Sequence, residues 1–121
     1  MSRGLYIVAA VVELGAGLLF LIVPSFAVGL IGGSSSRVGV LVARVFGAAA
    51  CTLGGLCWAA AGKRGSNLAR ALSFAMLGYN AVVTLLLLDA QRASGVGVLS
   101  ILVVVHGVLA VGFGAVVVAR R

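Results

Sequence analysis

The chain alternates between four long apolar stretches and short polar links. Each stretch holds about the twenty residues that a helix needs to cross the hydrocarbon core of a bilayer. The alternation of polar and apolar positions that marks barrel strands is missing from the sequence. The pattern therefore predicts an all-α polytopic integral membrane protein, an antiparallel bundle of four transmembrane helices over about 4–23, 38–61, 67–89 and 96–118. These helices fill a single transmembrane domain over residues 1–121.

The links between the apolar stretches predict how the helices are connected. Pro24 cannot continue the hydrogen-bond ladder of the first helix, and residues 25–32 are too short to span a bilayer, so they predict a short interfacial helix. The tight link 62–66 predicts that helices 2 and 3 form an antiparallel hairpin, with Ser66 as the N-cap of helix 3. The polar run 89–95 predicts the remaining connection.

Composition and charge agree with a membrane location. Hydrophobic residues make up 63% of the chain and charged residues 9%, whereas about a quarter of a soluble domain is charged. The net charge of +7 is distributed by side rather than gathered in a nucleic-acid patch. With four spans, one side holds Arg3, Lys63, Arg64, Arg70, Arg120 and Arg121, and the other holds Arg37 and Arg92. By the positive-inside rule both termini are expected in the cytoplasm, and no nucleic-acid partner is expected.

One strongly polar residue lies well inside each predicted span: Glu13, Arg44, Asn80 and His106. A charged side chain at the bilayer centre costs about 2.5–3.5 kcal/mol, so each must face a partner or water. With a rise of 1.5 Å per residue, the four lie between about 13 and 24 Å from the cytoplasmic edge. The sequence predicts that the bundle gathers them into one layer, with Tyr79 beside Asn80. Glu13 and the length of the first apolar stretch argue against a cleaved signal peptide.

Two interpretations of this polar layer stay open. In the functional interpretation Glu13 carries a proton, Arg44 holds an anionic or carbonyl-bearing ligand, and His106 titrates or binds a metal or haem. Tyr79 and Asn80 then orient the ligand. In the structural interpretation Glu13 and Arg44 form an ion pair, while Asn80 and His106 bond across helices. Because one histidine without a second ligand at helical spacing does not make a metal site, no metal is predicted and no cofactor is assigned.

Small residues recur every four positions along helix 2, at Gly39, Ala43, Gly47, Cys51, Gly55 and Ala59. In lipid, small residues at this spacing let helix backbones approach closely. The repeat predicts a helix-packing interface, either within the protomer or between protomers. Cys51 and Cys57 lie about 240° apart on a helix and cannot pair with each other, so they are interpreted as packing thiols.

Short motifs spread over most of the chain carry a resemblance to a known group. They are Glu13-Leu14-x-x-Gly17, Pro24-Ser25, Ala43-Arg44-x-x-Gly47, Leu53-Gly54-x-x-Cys57-Trp58, Tyr79-Asn80 and His106. With them the chain resembles the DoxX-like small four-helix bacterial membrane proteins, which include MauE-type accessory proteins. The resemblance implies an accessory or redox-associated subunit in the bacterial inner (cytoplasmic) membrane, in some cases linked to sulfur or quinone chemistry. The chain lacks a cysteine pair suited to disulfide exchange, which argues against a direct thiol-redox role.

These observations favour a membrane-embedded accessory or binding protein. Its intramembrane polar site would take a lipid-like or quinone-like ligand or a membrane partner, and the protein is expected to be a homo-oligomer or a subunit of a larger membrane complex. The site residues are Glu13, Arg44, Tyr79, Asn80 and His106. A membrane enzyme is the weaker prediction, because the sequence supplies no nucleophile or cofactor motif.

The alternative is a small proton-coupled transporter or channel that works as a homo-oligomer, with Glu13 and His106 as its titratable groups. The small multidrug resistance transporters are similar in length, in helix count and in a mid-membrane glutamate of the first helix. Helix 3 lacks the tryptophan expected for that family, and Arg44 would repel a cationic substrate. The departures argue against membership but leave the transport class open.

Overall fold

The computed structural model describes residues 2–63 and 65–119. Arg64, Arg120 and Arg121, which contribute to the predicted charge bias, lie outside the described residues. Helices cover 89% of the described chain and no strand occurs in it, which confirms the predicted all-α bundle. The helices are α1 (Ser2–Ile22), α2 (Pro24–Leu30), α3 (Arg37–Gly62), α4 (Asn67–Ser94) and α5 (Gly97–Val118).

Four of these helices, all but α2, are long and apolar enough to cross a membrane. Their outward faces carry large aliphatic side chains, as at Val111, which is 75% exposed, and Ile22, which is 70% exposed. Such continuous apolar surface on every side of a bundle would be unstable in water and suits a lipid environment. The protein is therefore a multi-pass membrane protein with a short helix after its first span.

Side chains at the links set where the helices begin. Pro24 is the first residue of α2, where its missing N–H is not needed. Ser36 caps α3, because its side chain accepts a hydrogen bond of 3.0 Å from the backbone N–H of Gly39. Ser66 caps α4 by accepting 3.1 Å from Ala69 N–H, which confirms the prediction made for it.

Helix α4 is longer than the sequence predicted. It continues through the polar run to Ser94 and ends at Gly95, whose φ of 68° is the left-handed conformation that glycine adopts without strain. The predicted connection over 89–95 is therefore mostly helical. The polar residues after Leu88 predict the end of the helix, but Ala, Gln and Arg are good helix formers, so these residues mark only the end of the apolar stretch.

Helices α1 and α3 pack with their backbones in contact, through glycines on both helices. A Cβ atom added at Gly17 would lie 2.7 Å from the backbone nitrogen of Cys51, and one at Gly47 would lie 2.7 Å from the carbonyl oxygen of Gly17. Helix α4 packs mainly against α5 instead, and it touches α3 over a small area. The second and third spans, α3 and α4, are thus joined by the short link but make little contact with each other. The main packing partner of α3 is α1.

The repeat of small residues every four positions, predicted on the second span, lies on α3. Only part of this repeat faces the interface with α1. Ala43 and Gly47 are buried and Cys51 is half-buried, but Gly55 and Ala59 are exposed. A step of four residues turns a helix about 40° beyond a full turn, so the repeat drifts around the helix and leaves the packed face. The buried row continues instead through Ala50, Gly54, Cys57 and Ala61.

The group α1–α2–α3 and the pair α4–α5 meet closely in one half of the bundle only. This closed half lies at the ends of α1 and α4 where these helices begin and of α3 and α5 where they end. Small alanines line it, and the ring of Tyr6 packs edge-on against Phe113 with centroids 5.5 Å apart. The remaining core residues of the closed half are Ala9, Ala10, Cys57, Ala60, Ala61, Ala69, Leu72, Met76 and Leu109.

Candidate functional site

Two polar contacts join α1 to α4 across the interior, and the first involves Tyr6. Its hydroxyl lies 2.5 Å from the carbonyl oxygen of Ala69 and 2.6 Å from Ser73 Oγ. Ser73 Oγ itself lies 2.8 Å from the same carbonyl. Two hydroxyl protons are thus shared among three oxygens, all of them buried. Because the bilayer core contains no water to replace them, these hydrogen bonds hold α1 and α4 together.

The second contact involves Glu13, which is 1% exposed. Its Oε2 accepts a hydrogen bond of 3.1 Å from the Tyr79 hydroxyl. Its Oε1 is fully buried and has no hydrogen-bond partner among the described residues. A carboxyl group in this position has one oxygen satisfied by the protein and one left for a proton or a donor from another molecule.

Asn80 and His106 form the third part of the polar layer, between α4 and α5. Asn80 Oδ1 lies 2.8 Å from His106 Nδ1, and Asn80 Nδ2 donates 2.8 Å to the carbonyl of Met76. The rings of Tyr79 and His106 meet edge to face with centroids 6.0 Å apart. Glu13, Tyr79, Asn80 and His106 are therefore linked into one layer by two hydrogen bonds and one ring contact.

Arg44 is not part of this layer, so the prediction of a single polar layer is wrong for this residue, and the Glu13–Arg44 ion pair of the structural interpretation does not form among the described residues. The Arg44 residue is exposed, the described hydrogen bond of Glu13 comes from Tyr79, and Glu13 Oε1 has no partner among the described residues. Ala43 faces the interior, and the next residue on a helix points about 100° away from it. Arg44 therefore lies on the lipid side of α3, where a long side chain can extend toward the headgroups.

A cavity of about 430 Å³ lies in the half of the bundle opposite the closed half. Its walls are aliphatic and aromatic, and His106 is the polar side chain among them. Phe20 of α1 and Phe46 of α3 pack edge to face within this wall, with centroids 5.1 Å apart. The other lining residues are Ala16, Val28, Ile31, Gly39, Val42, Ala43, Val83, Leu86, Leu87 and Leu102.

The cavity and the polar layer are adjacent. Ala16 lines the cavity one helical turn beyond Glu13, and His106 belongs to both. The arrangement can hold an apolar body and offer it one hydrogen-bonding group at its inner end. Within residues 2–63 and 65–119, no group of three His, Cys, Asp or Glu side chains comes together to hold a metal ion.

Tyr6 is a member of the polar contacts that the sequence analysis missed. Its signal was present, because Tyr6, Ala9 and Glu13 recur at helical spacing on one face of the first span. Ser73 lies seven residues before Asn80, on the same face of α4, and it is a second member of these contacts that the sequence analysis does not name. The cavity had no sequence signal, since it depends on how two packed groups of helices diverge.

Comparison of the chain with models of protein families, with curated proteins and with solved structures finds no match. The interpretation of the site rests on its geometry, and the DoxX-like resemblance stays a prediction.

The two tyrosines of the chain give a test of the polar layer. Tyr79→Phe removes the hydrogen bond to Glu13 and leaves its buried carboxyl group without a described partner, so we expect a loss of about 1–2 kcal/mol in the free energy of unfolding. Tyr6→Phe is the matched control, because Ser73 still bonds the Ala69 carbonyl; we expect a loss of about 0.5 kcal/mol. Denaturant unfolding in mixed micelles measures both. An equal or larger loss in Tyr6→Phe would contradict the assignment.

Proposed function

We propose that this protein is a membrane-embedded accessory or binding protein that holds a lipid-like or quinone-like molecule in the cavity between its helix groups. The observation that carries the proposal is an apolar cavity of about 430 Å³ with a histidine in its wall. Sites for small molecules have volumes of about 300–1,000 Å³, apolar walls and a few polar groups that fix orientation. The cavity fits this description in size and in chemistry.

The apolar walls determine the shape of the ligand that fits, and His106 allows the site to distinguish that ligand from the surrounding lipid tails. Lipid tails are as apolar as the cavity, so a ligand gains little from leaving the bilayer for aliphatic walls alone. Selective binding must come from close packing and from a hydrogen bond that the surrounding acyl chains cannot make. His106 borders the cavity and supports this division of roles.

Partnership with other chains is a further part of the proposal. Gly55 and Ala59 are exposed on the lipid-facing side of α3. Because small residues let a second helix approach closely, they support a contact with a second copy or with a larger membrane complex. An accessory role of this kind also agrees with the DoxX-like resemblance, which we carry here as a proposal.

We also propose an inner-membrane location with both termini in the cytoplasm. Arg3, Lys63 and Arg70 belong to the helix ends at one side of the bundle, and Arg37 and Arg92 belong to the ends at the other side. The positive-inside rule supports this orientation, and with Arg64, Arg120 and Arg121 the bias is six basic residues against two.

Native mass spectrometry of protein extracted in a mild detergent tests ligand binding. We expect wild-type protein to retain one apolar small molecule per protomer. Leu102→Trp fills the cavity from its α5 wall and should abolish this retention. Ile101→Trp is the matched control, because Ile101 is the neighbouring residue and is 64% exposed to the lipid, so the ligand should remain. Equal retention in the two variants, or bare protein throughout, would contradict the proposal.

A small proton-coupled transporter working as a homo-oligomer is the second candidate function, and the unpartnered oxygen of Glu13 favours it. A buried carboxyl group with one free oxygen is the kind of group that carries protons across membranes. Glu13→Gln should abolish proton flux in liposomes while keeping the fold, since an amide oxygen still accepts from Tyr79. Asp89→Asn, at the other acidic residue of the chain, should leave flux unchanged. Flux that persists in Glu13→Gln, or its absence in wild-type protein, would remove this candidate.

A further inference from the structure

The orientation of the Asn80 amide is fixed by its two neighbours. Nδ2 lies 2.8 Å from the carbonyl oxygen of Met76, which can only accept a hydrogen bond. The reverse orientation would place two oxygens against each other at this distance. Asn80 Oδ1 therefore faces His106, and it presents an acceptor to the imidazole ring.

This orientation determines which nitrogen of His106 carries the proton. Nδ1 lies 2.8 Å from Asn80 Oδ1 and must donate, because a carbonyl oxygen cannot. His106 is 8% exposed and borders apolar walls, where a neutral ring is less costly to bury than an imidazolium. In the neutral ring with Nδ1 protonated, Nε2 is left with a lone pair and acts as an acceptor.

Nε2 is the ring nitrogen that remains for a ligand. It makes no hydrogen bond within the described part of the chain, while Nδ1 is taken by Asn80. Among the described residues, Glu13 Oε1 is the side-chain atom that is both fully buried and without a hydrogen-bond partner. His106 Nε2 also has no partner among them, so it differs from Glu13 Oε1 in keeping some exposed surface. Because His106 lines the cavity and its Nδ1 is covered by Asn80, Nε2 is the ring nitrogen that His106 can offer to the apolar space.

We propose that the cavity selects ligands whose polar end is a hydroxyl group that donates a hydrogen bond to His106 Nε2. The class comprises long-chain alcohols and phenols, including the quinol form of a quinone. Ethers lack the donor, and the carbonyls of a quinone would bring a second lone pair against Nε2. The inference rests on the proposed binding function and narrows it from lipid-like molecules in general to hydroxyl-headed ones.

Asn80 and Tyr79 act as positioning residues for this acceptor. Asn80 sets the tautomer by accepting from Nδ1, and the edge-to-face contact with the Tyr79 ring restricts the plane of the imidazole. Tyr79 is in turn held by Glu13 Oε2. The other residues of the polar layer thus fix both the protonation and the orientation of His106, so that Nε2 accepts a hydrogen bond from one direction. Supporting residues around a binding site act in this way.

The binding test uses two pairs of probes and wild-type protein in lipid nanodiscs. The first pair is 1-dodecanol and dodecyl methyl ether, and the second is decylubiquinol and decylubiquinone. We expect the hydroxyl-bearing member to bind roughly five- to tenfold more tightly, as one hydrogen bond allows. A preference in the first pair alone identifies aliphatic alcohols as the ligand source, in the second alone quinols, and in both the shared chemistry.

Variants separate this inference from the underlying binding function. His106→Phe keeps an aromatic ring in the wall and should bind both members of a pair equally, whereas Ile101→Phe, on the lipid-facing side of α5, should keep the preference. Equal binding within both pairs by wild-type protein, or a preference that survives in His106→Phe, overturns the inference and leaves the binding function standing. Failure of all probes to bind overturns both.

A spectroscopic measurement keeps the inference testable if His106→Phe fails to fold. His106 is the one histidine of the chain, so nitrogen-15 NMR of histidine-labelled protein reports on it alone. We expect the proton on Nδ1 in wild-type protein. In Asn80→Leu that constraint is lost, and the preference for a hydroxyl head should fall with it. A proton found on Nε2 in wild-type protein overturns the inference.

Discussion

Hydrogen bonding between α1 and α4 in a medium without water is the constraint on which the rest of the structure depends. Tyr6 bonds to the Ala69 carbonyl and Ser73, and about two turns further along α1 Glu13 bonds to Tyr79. In a bilayer an unpaired polar group cannot form a hydrogen bond with water instead, so breaking either contact is costly and each partner keeps the other in place. These contacts connect two groups of helices that otherwise pack mainly within themselves.

The position of these contacts divides the bundle into two halves. In the closed half, alanines and a cysteine let the groups meet closely around Tyr6 and Phe113. In the other half, bulky side chains such as Phe20, Phe46 and Leu87 face one another and leave a cavity. The polar layer is the boundary, and it places the histidine of α5 where the apolar space ends. The candidate site is thus a consequence of how the two halves pack.

Much of the fold and part of the site follow from sequence. Hydrophobic length predicted four spans and the short helix, and the cost of polar groups in lipid picked out Glu13, Asn80 and His106, which the structure brings into one layer with Tyr79. Arg44 was equally polar, but its direction depends on which face of α3 packs against α1. Sequence spacing alone did not fix that face, because the four-residue repeat drifts around the helix.

Photolabelling in liposomes tests most directly whether the space between the helix groups is a binding cavity. The probe is a long-chain alcohol that carries a diazirine on its alkyl chain, and the labelled residues are mapped by mass spectrometry. Saturable labelling of the walls, at Phe46 on α3 and Leu87 on α4, is the result that a cavity predicts. Unsaturable labelling confined to lipid-facing residues such as Val111 and Leu85 would contradict it.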